Sequence, residues 1–109
     1  MAKGDAPVLE ALADINAVSL ERTELDPAPL VLVRLAALVA TDAPASSYLL
    51  HLGPAAAAGV TLDQAQDVLV AVAPIVGTPR TLAAAAKIVE ALGLAIELAE
   101  QDAEQDQDA

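Results

Sequence analysis

Apolar residues recur at helical spacing along most of this chain, and prolines, glycines and short polar stretches divide them into five segments. The first segment runs through Val8, Leu9, Leu12 and Ile15. Spacings of three and four residues relate these positions, as on one face of a helix. The pattern therefore predicts five consecutive helices.

Local signals predict where several of these helices begin and end. Asp26-Pro27 combines the N-cap and first-turn residues that open a helix. Thr61 and Gln64 have the spacing of a capping box, in which each side chain binds the backbone N–H of the other residue. Gly59 and Gly77 stand where helices are expected to stop, because glycine readily adopts the left-handed conformation of a helix C-terminus.

The later segments carry the predicted core. Residues 30–40 are apolar on nearly every face apart from Arg34, so we expect a subunit interface to cover what one small domain cannot. Arg80 and Lys87 are expected to face solvent. Each of the last two helices has one apolar stripe, formed by Leu62, Ala65, Val68, Leu69, Val72 and Val76 in the fourth and by Leu82, Ala85, Ala86, Val89, Leu92 and Ile96 in the fifth.

Composition supports an all-α fold of one domain. Of the 109 residues, 56% are apolar but only 1% are aromatic, so alanine, leucine and valine must fill the core. Alanine is the best helix former because it loses no side-chain entropy in a helix. The C-terminal residues 99–109 are acidic and lack apolar spacing, which predicts a frayed or irregular tail.

Charge and motif content exclude several classes of function. The formal net charge is −11 and there is no cysteine, so nucleic acid is repelled and thiol chemistry is excluded. No signal segment is evident, and the longest apolar stretch is shorter than the roughly 20 residues that span a bilayer. We therefore expect a cytoplasmic protein without a nucleic-acid or membrane partner. No phosphate loop, dinucleotide fingerprint or metal-ligand spacing occurs, so no cofactor and no metal are predicted.

His51 is the only histidine, and it lies in the apolar sequence SSYLLHLGP. Imidazole titrates near neutral pH, which suits proton transfer. Ser47, four residues earlier, lies on the same helix face, but no nucleophile turn accompanies it. From the residues alone, His51 is a catalytic group, a ligand contact or a core histidine with one hydrogen bond.

The order of these signals resembles the carboxymuconolactone decarboxylase-like family, which includes γ-carboxymuconolactone decarboxylase and alkylhydroperoxidase D. A buried helix is followed by His51, by the small residues 55–58 closed by Gly59, by the Thr61 capping segment and by the restart at 77–79. The resemblance implies an alkylhydroperoxidase D-like, all-α bundle of about five to six helices built around a helical hairpin. It also implies a homotrimer or homohexamer, with His51 beside a pocket near a subunit interface. We place the domain at 1–98, its core at 25–93 and the tail at 99–109.

Two departures from the family pattern limit the expected chemistry. The peroxidase branch carries Cys-x-x-Cys seven and four residues before its histidine, where this chain has Pro44 and Ser47. A serine neither forms the disulfide nor supplies a thiolate at neutral pH, so thiol peroxidase activity is not expected. The family also often has an acid in the second helix. The corresponding segment here, Leu30-Val31-Leu32, contains no acid.

Two hypotheses about function follow. In the first, the protein is a decarboxylase-like enzyme for a small anionic organic acid or lactone, with His51 as general acid or base and with Arg34, Ser47 and Tyr48 contacting the substrate. Arg34 needs a partner because an unpaired buried charge is costly; that partner is an acid across an interface or a substrate carboxylate. In the second, the chain is a catalytically degenerate member that serves as an oligomeric binding or structural module.

Overall fold

Five α-helices joined by short connections make up the part of the chain that the structure, a computed structural model, describes. Its backbone is described for residues 2–108 and its side chains for residues 6–105. The helices are α1 (Ala2–Arg22), α2 (Pro27–Ala40), α3 (Ala45–Ala57), α4 (Leu62–Val76) and α5 (Thr78–Asp108). No strand occurs in this part, so the all-α prediction is confirmed.

The predicted boundary between α3 and α4 is confirmed by its hydrogen bonds. The Gln64 N–H donates to Thr61 Oγ1 at 3.1 Å, and the Thr61 N–H donates to Gln64 Oε1 at 3.0 Å, which completes the capping box. Gly59 has a φ of 76°, and the N–H groups of Gly59 and Val60 close the last turn of α3. A residue in this left-handed conformation is the usual way to end a helix. These local interactions fix where α3 ends and α4 begins.

The core lies among α2, α3, α4 and α5, and small residues form much of it. Val39 and Ala91 are fully buried, and Ala84 is nearly so. Alanine at these positions of α5 lets the neighbouring helices approach closely, because it extends only one carbon from the backbone. The remaining buried members of the cluster are Ala43, Tyr48, Leu69 and Ile88.

The face of α5 that packs on the core differs from the predicted stripe. Leu82, Val89 and Ile96, which were expected inside, are 60–69% exposed. Ala84, Ile88 and Ala91 are buried instead. The prediction was wrong for these three positions, but Ala85 and Leu92 of the same stripe do pack against the core, so the buried face is rotated from the predicted one.

The α1 helix makes few contacts with the bundle. Every described side chain from residue 6 to residue 22 is exposed, including the apolar positions that predicted the helix. Arg34 of α2 joins it to the bundle: Nη1 donates to Asn16 Oδ1 at 2.6 Å, and Nη2 donates to Ser19 Oγ at 3.0 Å. Neither partner is an acid, so among the side chains that the structure describes Arg34 is held by neutral oxygens.

The turn after α2 is fastened to α5 by two basic side chains. Asp42 has a φ of 54° and lies 2.7 Å through Oδ1 from Lys87 Nζ, while Arg80 Nη1 donates to the Ala40 carbonyl at 2.5 Å. The hydrogen bond from Lys87 and then its charge hold the pKa of Asp42 below its ordinary value of 3.8. Arg80 is exposed, as expected, although its guanidinium also binds the last carbonyl of α2. Lys87 is only partly exposed, because it binds Asp42 in the turn that follows α2.

The acidic C-terminal residues continue the last helix. The α5 helix runs without a break to Asp108, and the described side chains of residues 99–105 are all exposed. The expected irregular tail is therefore helical in the structure. Among the described residues, no helix is long and apolar enough to cross a membrane.

Candidate functional site

A cavity of about 330 Å³ opens between α2, α3, α4 and α5 on one side of the core. Its walls are mostly apolar, with Val31 and Leu35 from α2, Leu52 from α3, and Ile88 and Leu92 from α5. Small-molecule sites are usually clefts of about 300–1,000 Å³ with apolar walls and a few polar groups. The cavity therefore has the size and lining of a site for a small molecule.

His51 lies in the wall of this cavity and is held by its own helix. Its Nδ1 lies 2.7 Å from the Ser47 carbonyl oxygen, one turn earlier in α3. A carbonyl oxygen only accepts hydrogen bonds, so Nδ1 must carry the proton and donate it. In the neutral ring, Nε2 then carries the lone pair and is the nitrogen left to accept a proton or hydrogen bond from a ligand.

Tyr48 lies in the same wall, one turn of α3 before His51. Its side chain is only 3% exposed, and its hydroxyl has no hydrogen-bond partner among the described residues. Burial first, and then the charge of Asp42, raise the pKa of the Tyr48 phenol above its ordinary value of 10.0. The phenol therefore stays protonated at neutral pH and does not act as a base there.

The structure brings together only part of the predicted set of site residues. His51 and Tyr48 both line the cavity. Ser47 does not line it, and its backbone carbonyl orients His51 instead. Arg34 also lies outside the lining, because its guanidinium is directed to Asn16 and Ser19 on α1.

Basic and metal-ligating groups are sparse around the cavity. None of the four basic side chains in the described part of the chain, Arg22, Arg34, Arg80 and Lys87, belongs to its lining. Residues 6–105 also contain no group of three His, Asp or Glu side chains that could hold a metal ion. The polar side chains of the described walls are therefore one imidazole, the hydroxyl of Thr61 and the phenol of Tyr48, whose oxygen is itself buried.

Several wall residues were missed by sequence reasoning, although a signal for them exists. The small side chains of Ala55 and Ala56 follow His51 by about one turn and leave room for the cavity. Thr61 enters the wall because its capping box places the start of α4 there. Val31, from the segment where the resembled family often has an acid, contributes an apolar side chain. The alanine run after the histidine was the available signal.

Comparison with known protein families shows which family the chain belongs to. The model of the carboxymuconolactone decarboxylase family matches residues 6–101, which include parts of all five helices and the whole cavity wall. This chain belongs to the carboxymuconolactone decarboxylase family. Neither the curated proteins nor the solved structures contain a match to it.

Within this family, the chain is a member without any cysteine. The five-helix, all-α architecture agrees with the alkylhydroperoxidase-like helical fold expected from the resemblance. Of the residues that carry the family pattern, the histidine lies in the cavity wall, whereas Ser47 and Pro44 stand where the peroxidase branch has its thiols. Of the groups that carry the family pattern, only the His51 imidazole therefore offers reactive chemistry to the cavity.

Proposed function

We propose that this protein binds a small lactone or related organic acid in the cavity and that His51 moves a proton on the bound molecule. The observation that carries the proposal is the orientation of the ring. With Nδ1 held by the Ser47 carbonyl, the free Nε2 belongs to a side chain in a mostly apolar wall. Such an imidazole is suited to general acid–base catalysis near neutral pH.

The proposed step is removal of a proton from the carbon next to the lactone carbonyl. The C–H bond breaks, its proton goes to His51 Nε2, and the electron pair becomes the enolate of the lactone. The resulting imidazolium keeps its Nδ1 hydrogen bond to the Ser47 carbonyl, which accepts from either form of the ring. Return of the proton to the same or a conjugated carbon completes the step, with no change in oxidation state.

A second candidate function is binding without catalysis. It is favoured because the cavity has no positive charge to stabilise an enolate: no basic side chain of the described chain belongs to its lining. Enzymes usually gain most of their rate acceleration by stabilising the charge that develops in the transition state. In this case the family fold would serve as an oligomeric binding or structural module.

The test is exchange of the lactone α-proton for deuterium, followed by proton NMR. We expect the wild-type protein in D₂O to exchange that proton faster than free imidazole at the same concentration does. Binding should also raise Tm by mass action, because the ligand binds only the folded state. The free-imidazole control separates catalysis by a positioned ring from catalysis by imidazole as such.

The two candidate functions give different results in this test. Stabilisation by a lactone together with exchange supports the enzyme. Stabilisation without exchange supports the binding module and contradicts the proposed proton transfer. If no member of a panel of γ-lactones and their carboxylated relatives changes Tm or exchanges, both functions of the cavity are wrong.

We also propose that the chain assembles with copies of itself, as a homotrimer or homohexamer in the cytoplasm. Support comes from α1, where Val8, Leu9, Leu12 and Ile15 are 56–64% exposed on one side of the helix. Contiguous exposed apolar surface is typical of protein–protein contacts. A second copy packed against α1 would bury these side chains.

Light scattering coupled to size exclusion tests this assembly. We expect Leu12→Glu together with Ile15→Glu to convert the oligomer into smaller species, because burying two unpaired carboxylates in an apolar contact is costly. Asp14→Asn, on the same helix, serves as the matched control and should leave the mass unchanged. A wild-type protein that elutes as a monomer would contradict the proposal.

A further inference from the structure

We infer that the cavity selects an uncharged carbonyl compound, such as a neutral lactone or ester, and excludes carboxylates. The inference rests on the proposed function, since it concerns the ligand of the same site. It narrows the ligand class from organic acids and lactones to the neutral members. Two observations support it. The cavity wall is mostly apolar and contains a single imidazole, and the basic side chains around the bundle bind elsewhere.

The lining provides few groups that could bind a charged ligand. Apart from His51, its polar side chains are Tyr48 and Thr61. The Thr61 hydroxyl accepts from the Gln64 N–H at 3.1 Å as the cap of α4, which leaves its O–H as a single neutral donor. A neutral carbonyl compound needs at most one or two hydrogen bonds, and its apolar remainder matches the aliphatic walls.

The basic side chains near the bundle are occupied away from the cavity. Arg34 binds Asn16 at 2.6 Å, Arg80 binds the Ala40 carbonyl at 2.5 Å, and Lys87 binds Asp42 at 2.7 Å. None of the three lines the cavity. The net charge of the whole chain is −11, so long-range electrostatics also oppose the approach of an anion.

The energetic consequence is asymmetric between neutral and charged ligands. Moving a carboxylate from water into an apolar site without a cationic partner is costly, whereas moving an ester costs little. A methyl ester and its parent acid have nearly the same shape. Any difference in their affinity for this cavity therefore reports on charge.

Calorimetric titration of such a matched pair tests the inference. The probes are a γ-lactone with a carboxymethyl arm, used as its carboxylate, and the methyl ester of the same lactone. We expect the ester to bind at least about tenfold more tightly than the carboxylate near neutral pH. The α-proton exchange assay on both probes provides a second readout.

The outcomes separate this inference from the proposed function. Tighter binding of the ester supports the selectivity. Equal or tighter binding of the carboxylate overturns the selectivity but leaves the lactone site in place. Binding of neither probe, nor of the uncharged γ-lactones in the panel, overturns the proposed function and this inference with it.

Adding a positive charge to the cavity wall should weaken the preference for the neutral ligand. Ala55 lines the cavity one turn after His51 on α3. We expect Ala55→Lys to reduce the preference for the ester at least about threefold, because the ammonium gives the carboxylate a partner. Ala55→Met adds similar length without charge and should leave the preference unchanged. An unchanged preference in both variants, with both still folded and binding the ester, would contradict the charge argument.

Discussion

Replacing His51 with asparagine should slow α-proton exchange of a bound lactone by about 100- to 10,000-fold, the usual contribution of a positioned acid–base group. The asparagine amide nitrogen can still donate to the Ser47 carbonyl from about the position of Nδ1, so the hydrogen bond of 2.7 Å is replaced rather than lost. What disappears is the basic Nε2. Exchange is measured by proton NMR in D₂O, and Tm and ligand affinity are measured alongside it.

Two further measurements make the His51 prediction specific. Ser46→Ala changes an exposed neighbour on α3 that does not line the cavity, and it should exchange at the wild-type rate. Ligand affinity of His51→Asn should fall much less than the exchange rate. If His51→Asn melts far below wild type and still exchanges the α-proton of the bound lactone, His51 is a structural histidine and not the base.

Enlarging two alanines one turn apart on α5 should change stability in opposite directions. Ala95 lines the cavity, so Ala95→Leu has room for its added carbons and should stabilise the fold by about 1–2 kcal/mol through apolar burial. Ala91 is 0% exposed and does not line the cavity. Ala91→Leu should therefore destabilise by about 1–3 kcal/mol through overpacking.

Denaturant unfolding and ligand titration of the same two variants provide the measurement. The leucine side chain of Ala95→Leu would occupy part of the 330 Å³ cavity, so this variant should lose ligand binding while gaining stability. Ala91→Leu should keep binding wherever it remains folded. Equal effects of the two substitutions on stability would show that the cavity is not open space in solution.

The features that could be predicted from the sequence are those set by interactions within a few residues. Thr61 and Gln64 are three positions apart, and the capping box follows from that spacing alone. The stop at Gly59 likewise depends on one residue with a positive φ. Neither needs knowledge of the tertiary packing, so both could be predicted.

Packing between distant segments was harder to predict. Lys87 and Asp42 are 45 residues apart, and nothing in either neighbourhood indicates the 2.7 Å contact. The buried face of α5 was misjudged for a related reason. Close helix approach through Ala84 and Ala91 depends on the neighbouring helices, whereas the larger side chain of Val89 dominates the sequence pattern.

The candidate site shows the same division. His51 was identified as the only histidine, in an apolar stretch of sequence, and its one-turn hydrogen bond to the Ser47 carbonyl is a local interaction. The cavity is not local, because α2, α3, α4 and α5 each contribute part of the wall. Arg34 was expected beside an acid or a substrate carboxylate, but its partners come from α1, whose position no pattern within α2 could indicate.

Tyr48 gives this protein a built-in spectroscopic reporter. The chain contains no tryptophan or phenylalanine, so its near-ultraviolet absorbance, circular dichroism and intrinsic fluorescence all come from this one phenol. The phenol is at once a wall residue of the cavity and a member of the buried cluster. Ligand entry and loss of core packing can therefore both be followed optically at a single known position, without attaching a label.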